Sequence, residues 1–145
     1  MYDIKLIKHM LVGDREPDEI INDTENGQTV PYLLRWFVKR DENGGRVYLH
    51  NFLRSYFDRA LHDHPWDSTS ILLDGAYIEH MQDGSQILRR KGDIVTRLAS
   101  QAHRIELIGG YPTWSLFITG PKVREWGFFC KDGWTHHTNF DGERC

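Results

Sequence analysis

The chain is poor in several of the features that name a function quickly. It has only two cysteines, Cys130 and Cys145, and no CxxC pair. That excludes a disulfide framework and leaves a thiolate zinc finger or a thioredoxin-type redox motif without support. It has no excess of basic charge: the formal net charge is −3 and the pI about 6.2. Binding to nucleic acid or to an anionic membrane surface is therefore disfavoured. No window approaches the roughly 18 apolar residues of a membrane span. The opening MYDIKLIKHMLVGDREP alternates apolar and charged residues and has no apolar signal-peptide core. GxSxG, GxGxxG and P-loop motifs are all missing, which argues against a serine hydrolase and a nucleotide-phosphate site. A cytoplasmic, reducing setting is the expectation.

What the chain does have is 145 residues, 13 glycines and 12 % aromatic residues, the raw material of strands joined by tight turns in one domain. The first 12 residues fit a strand or a short amphipathic helix. Residues 13–29 read as a polar surface loop with a helical turn near Pro17–Ile21. VPYLLRWFVKR and RVYLHNFLRS flank DENGG, a hairpin signal. Further strands are expected over Ala60–His64 and Ser70–Glu79, in SQILRR and DIVTRL around Lys91-Gly92, and in VREWGFF. HRIEL and TWSLFIT, around IGGYP, read as another hairpin-like pair. The tail from Cys130 reads as irregular. About eight or nine closely spaced strands without a central helix predict an all-β sandwich or barrel. Residues 1–145 form one domain in this reading, with 1–29 and 130–145 as peripheral extensions.

LHDHPWDS at 61–68 carries the chemistry. In a strand, i and i+2 share a face, so His62 and His64 project side by side. Imidazoles spaced in this way converge on one ion, or they are ordinary strand residues. A metal needs a third ligand from elsewhere. The candidates are His103, His50, His80, His136, His137, Asp67 and Glu106. His103 fits best, because parity in HRIEL sets His103, Ile105 and Leu107 on one face and Arg104 and Glu106 on the other. Asp67 faces away by strict parity, but Pro65 interrupts the ladder, so Asp67 stays a possible ligand. Arg59, Arg104 and Arg124 are candidates for an anionic substrate, with Arg124 foremost in its apolar setting. Trp66 and Tyr77 are candidate pocket-lining residues.

HDHPWDSTSILLDG followed by KGDIVTRLASQAHRIEL resembles the two motifs of the cupin superfamily. His62, His64 and Gly75 match the first motif, with Ser68 in the position of its glutamate. Gly92 and His103 match the second, with Leu98, Ser100 and Leu107 in place of its proline, glycine and asparagine. The likeness runs from about Val47 to Phe129. RALHDHPWD with TGPKVREWGFF further resembles a group of small cupin-like proteins of bacteria and phages. The resemblance implies a double-stranded β-helix, or jelly-roll (cupin, RmlC-like) barrel. It also implies a divalent metal on His62, His64 and His103: Fe(II) first, with Zn, Ni, Mn or Cu as alternatives. Without the glutamate, the site is similar to the three-histidine sites of thiol dioxygenases. The expected function is a metal-dependent, Fe(II) oxygenase-type enzyme acting on a small polar molecule. The alternatives are a metal-dependent isomerase or epimerase, and a non-catalytic cupin that binds a small ligand or a protein partner. A homodimer is implied by the resemblance alone.

Overall fold

The computed structural model describes residues 3–55 and 60–140. Arg59 and Cys145 lie outside them. A helix, α1 (Ile4–Val12), is followed by strands β1 (Glu19–Glu25), β2 (Gln28–Arg40), β3 (Arg46–Phe52), β4 (Ser68–Asp74), β5 (Ala76–Met81) and β6 (Gln86–Arg90). Then come β7 (Ile94–Arg97), β8 (His103–Leu107), β9 (Thr113–Thr119), β10 (Gly127–Cys130) and β11 (Gly133–His136). One sheet has the order β1-β2-β3-β9-β4-β7, a second β6-β5-β8, and β10-β11 form a ribbon. All the pairings are antiparallel. Among the described residues no helix is long and apolar enough to cross a membrane.

The second layer is continuous through the short segment around His62, whose backbone bonds reach β8 and β10. His62 bridges His103 of β8 on one side and Phe128 of β10 on the other. The segment 60–64, expected to be a strand, is thus reduced to an isolated bridge, because Pro65 supplies no backbone donor to extend it. The two layers face each other. Leu72, Tyr77, Ile105 and Leu107 fill one part of the space between them, with Phe52 packed alongside.

Four further expectations change. The segment read as a loop with a helical turn contains β1, joined to β2 by Asn26-Gly27, both at positive φ (50° and 78°). That is the local geometry of a tight hairpin, and the Asn-Gly pair was its visible signal. Ser70–Glu79 is two strands rather than one. Gly75 has φ 84°, and a Cβ there would stand 2.7 Å from Thr113 Oγ1. The chain turns at this glycine and crosses from the six-stranded sheet to the other layer. IGGYP makes no hairpin: β8 pairs with β5, and β9 with β3 and β4. The tail is not wholly irregular, since β11 pairs with β10. The first residues, left open between strand and helix, form α1, capped by Asp3, whose side chain accepts from the Lys5 amide at 2.9 Å.

Candidate metal centre

The backbone itself brings the first two histidines together. His62 and His103 exchange both N–H···O=C bonds, each 3.0 Å, so their side chains leave the same face as close neighbours. His64 is anchored by its amide to the Ala99 carbonyl at 3.0 Å. The three rings form a near-equilateral triangle: 5.1 Å between His62 and His64, 5.0 Å between His62 and His103, and 5.0 Å between His64 and His103. One nitrogen from each lies within 4.8 Å of the others. All three line a cavity of about 330 Å³ between the layers.

The parity expected for β8 holds. His103, Ile105 and Leu107 are buried, and Arg104 and Glu106 alternate outward. His103 Nδ1 lies 2.5 Å from Glu79 Oε2. A carboxylate can only accept there, so Nδ1 carries the proton and Nε2 is the nitrogen left for a ligand. Glu79 has no solvent exposure, and its other partners are Arg97 Nε at 2.5 Å and Arg89 Nε at 3.0 Å. Burial alone would raise the Glu79 carboxyl, but the hydrogen bonds from His103 and Arg97 outweigh it and hold the group well below the carboxylate range. Arg97 extends the network to Ser70 Oγ at 2.9 Å and Tyr77 Oη at 3.2 Å.

Burial, reinforced by the charges around it, depresses His64 to about 3, so it is neutral at ordinary pH. Burial also lowers His103, against the pull of Glu79. Neutral imidazoles are the form that ligates metal. His64 Nδ1 is buried and has no hydrogen-bond partner among the described residues. Such an atom is costly unless a ligand engages it. Three imidazole nitrogens at this spacing, one ring oriented from behind by a carboxylate, fit a divalent transition metal.

The other candidates lie elsewhere. Asp67 is not brought to the trio: its Oδ1 accepts from the Ala99 amide at 2.7 Å, making it a turn residue. Ser68, in the glutamate position, is buried and lines the cavity. His80 and Glu106 bond each other at 2.8 Å. His136 and His137 gather with Glu125 in a separate group. His50 lines the cavity but accepts from Arg35 Nε at 3.0 Å. Trp66 and Tyr77 line the cavity, Trp66 stacked on His64 at 5.6 Å. Arg124 does not line it. Its guanidinium is 2.6 Å from Asp63 Oδ2, because Asp63, between the two histidines, points to the opposite side.

Asp63, Glu79 and Arg97 were missed from sequence. Asp63 is buried and also accepts from the Gly127 amide at 2.8 Å and Trp134 Nε1 at 2.9 Å, fastening β10 and β11 to the histidine segment. The signal for Glu79 was Gly75: a break there restarts the alternation and puts Glu79 in phase with buried Tyr77.

No protein-family model matches the chain, and no curated protein matches it in sequence. Solved structures do match. A conserved protein with a double-stranded β-helix domain from Klebsiella pneumoniae aligns with TM-score 0.54 and 20 % identity, over 73 % of this chain and 88 % of that one. A cupin-superfamily protein from Desulfitobacterium hafniense aligns with TM-score 0.51 and 17 % identity, over 70 % and 84 %. Fe(II) HppE aligns with TM-score 0.56 and 15 % identity, over 72 % of this chain but only 58 % of its own length. At these identities the likeness concerns the fold, and the fold is the double-stranded β-helix of the cupins, as the two sequence motifs implied.

Proposed function

We propose that His62, His64 and His103 hold one divalent transition metal, and that the protein is a mononuclear, Fe(II) oxygenase-type enzyme acting on a small molecule in the adjoining cavity. The observation that carries this reading is the convergence of three histidines from two distant segments on one cavity wall. Nitrogen donors favour Fe(II), Zn, Ni or Cu over Mg or Ca. A bound Fe(II) would supply one-electron chemistry toward O₂ that side chains lack. The protein's share is positional. Glu79 fixes the His103 ring, and the backbone bridge fixes the spacing of His62 and His103. Trp66, Phe117 and Trp126 wall the cavity with apolar surface and limit water. The hydroxyls of Ser68, Ser70, Tyr77 and Ser115 stand ready to orient polar groups.

The test is metal analysis of the untagged protein beside His62→Ala and His103→Ala. About one metal per chain in the wild type, lost in both variants, is the expected result. The same negligible metal in all three overturns the site. O₂ uptake by the Fe(II)-loaded protein is then measured against a panel of small acids and thiols. Bound metal without O₂ uptake overturns the oxygenase reading and leaves the isomerase and ligand-binding alternatives.

A further inference from the structure

Among the described residues, the cavity wall carries two guanidinium groups and no carboxylate. Arg35, Arg97 and the histidines His50, His62, His64 and His103 line it, and no described Asp or Glu does. Arg97 is already compensated by Glu79 at 2.5 Å. Arg35 is not compensated to the same degree. It sits on β2, paired across to His50 of β3, and its Nε donates to His50 Nε2 at 3.0 Å. Burial, together with Arg35, holds His50 far below its ordinary value, so this partner is a neutral ring that orients the guanidinium without cancelling its charge. The paired carboxylate, Glu19 on the edge strand, stands 3.6 Å from NH1, beyond hydrogen-bond reach, and is 44 % exposed. Nε is engaged by His50, which leaves the terminal nitrogens NH1 and NH2 of this cavity-lining residue for a planar two-oxygen group.

The metal end has the same imbalance. Three imidazoles bring no negative charge, and Ser68 stands where the cupin motif carries a glutamate. Around these polar ends the wall is Tyr32, Phe52, Trp66 and Phe117. At about 330 Å³ the cavity lies at the low end of small-molecule sites, which span roughly 300–1,000 Å³.

We infer that the cavity selects a small organic carboxylate, its acid group held by Arg35 and its apolar body packed against the aromatic wall. This rests on the proposed function in taking that cavity as the substrate site, while Arg35 itself lies outside the histidine trio.

Calorimetric titration of the zinc-loaded and the metal-free protein with 3-methylbutanoate, with its neutral amide and with inorganic phosphate tests it. The acid is expected to bind, and the amide about tenfold more weakly or worse, the loss of one charge-assisted pair. Arg35→Met should weaken the acid by at least about tenfold and leave the amide and the zinc stoichiometry unchanged, while Arg35→Lys should keep part of the affinity. If Arg35→Met does not fold, Arg35→Lys and the acid–amide contrast carry the test. Equal binding of acid and amide, no binding of either, or unchanged acid affinity in Arg35→Met or, where that variant does not fold, in Arg35→Lys overturns the inference. Arg35-dependent phosphate binding that excludes the acid overturns the carboxylate assignment. Zinc stoichiometry in the same samples separates these failures from failure of the metal site.

Discussion

Glu79 Oε2 and His103 Nδ1 stand 2.5 Å apart with the carboxylate wholly buried, so the orientation of one candidate metal ligand is decided by a strand that carries no ligand. Replacing Glu79 by Gln keeps the size but removes the charge that His103, Arg97 and Arg89 share. Metal affinity is expected to fall by about 10–100-fold. Stability should fall as well, by roughly 3–5 kcal/mol, because buried Arg97 loses its counter-charge. Zinc competition titration reads the first effect and urea denaturation of the metal-free protein the second. An unchanged affinity would mean that Glu79 serves folding only.

Asp63→Asn tests the opposite side of the histidine segment. It weakens the Arg124 pair and the bond from Trp134 while leaving the histidines in place. A loss of about 2–3 kcal/mol is expected, limited by the partial exposure of Arg124. Amide exchange should speed up first at Gly127 and along β10 and β11. Uniform loss of protection across both sheets would contradict this local role.

Gly75→Ala places a Cβ against Thr113 Oγ1 and the Pro112 carbonyl at a residue with φ 84°. The expected cost is about 1–3 kcal/mol. It should show as a lower urea midpoint with an unchanged slope. A neutral result would mean that the crossing between the sheets relaxes without strain.

Acid should weaken the metal-free fold. His64 is depressed from 6.5 to about 3 in the folded protein, so between those values the unfolded chain binds more protons. Stability from this group is complete above the unfolded value and is lost as pH falls from about 6.5 toward 3. Glu79, also depressed, adds loss in the same direction below the ordinary carboxylate range. His64 predicts a fall of a few kcal/mol, order of magnitude only, between pH 7 and pH 4, with the Glu79 loss following mainly below that. Urea midpoints over that range check it; a flat profile would show that the imidazole protonates freely in the fold.

Much of the candidate ligand set was legible because it depends on local spacing and on one period-2 strand. HDH gives two of the candidate ligands, and HRIEL places His103 among inward residues. The β2–β3 hairpin was legible from DENGG for the same local reason. The residues that tune the site were not, since their roles arise from contacts between strands distant in sequence. Glu79 is one residue of an apolar run until Gly75 splits it. Asp63 looks outward by parity, and only β10 and β11, folded over that side, make it buried. Arg124 was placed at the substrate because its apolar neighbours are visible in sequence and its partner Asp63 is not. Arg35 carried no signal of its own in the sequence, because the His50 that orients it lies across a hairpin.

The double hydrogen bond between His62 and His103 has a further meaning for binding. These two nitrogen donors are spaced by main-chain pairing rather than by rotamers alone. An ion joining them would therefore lose little freedom in the protein when it arrives, and it would cross-link two strand segments already in register. Metal binding should then raise resistance to unfolding while changing the folded backbone very little.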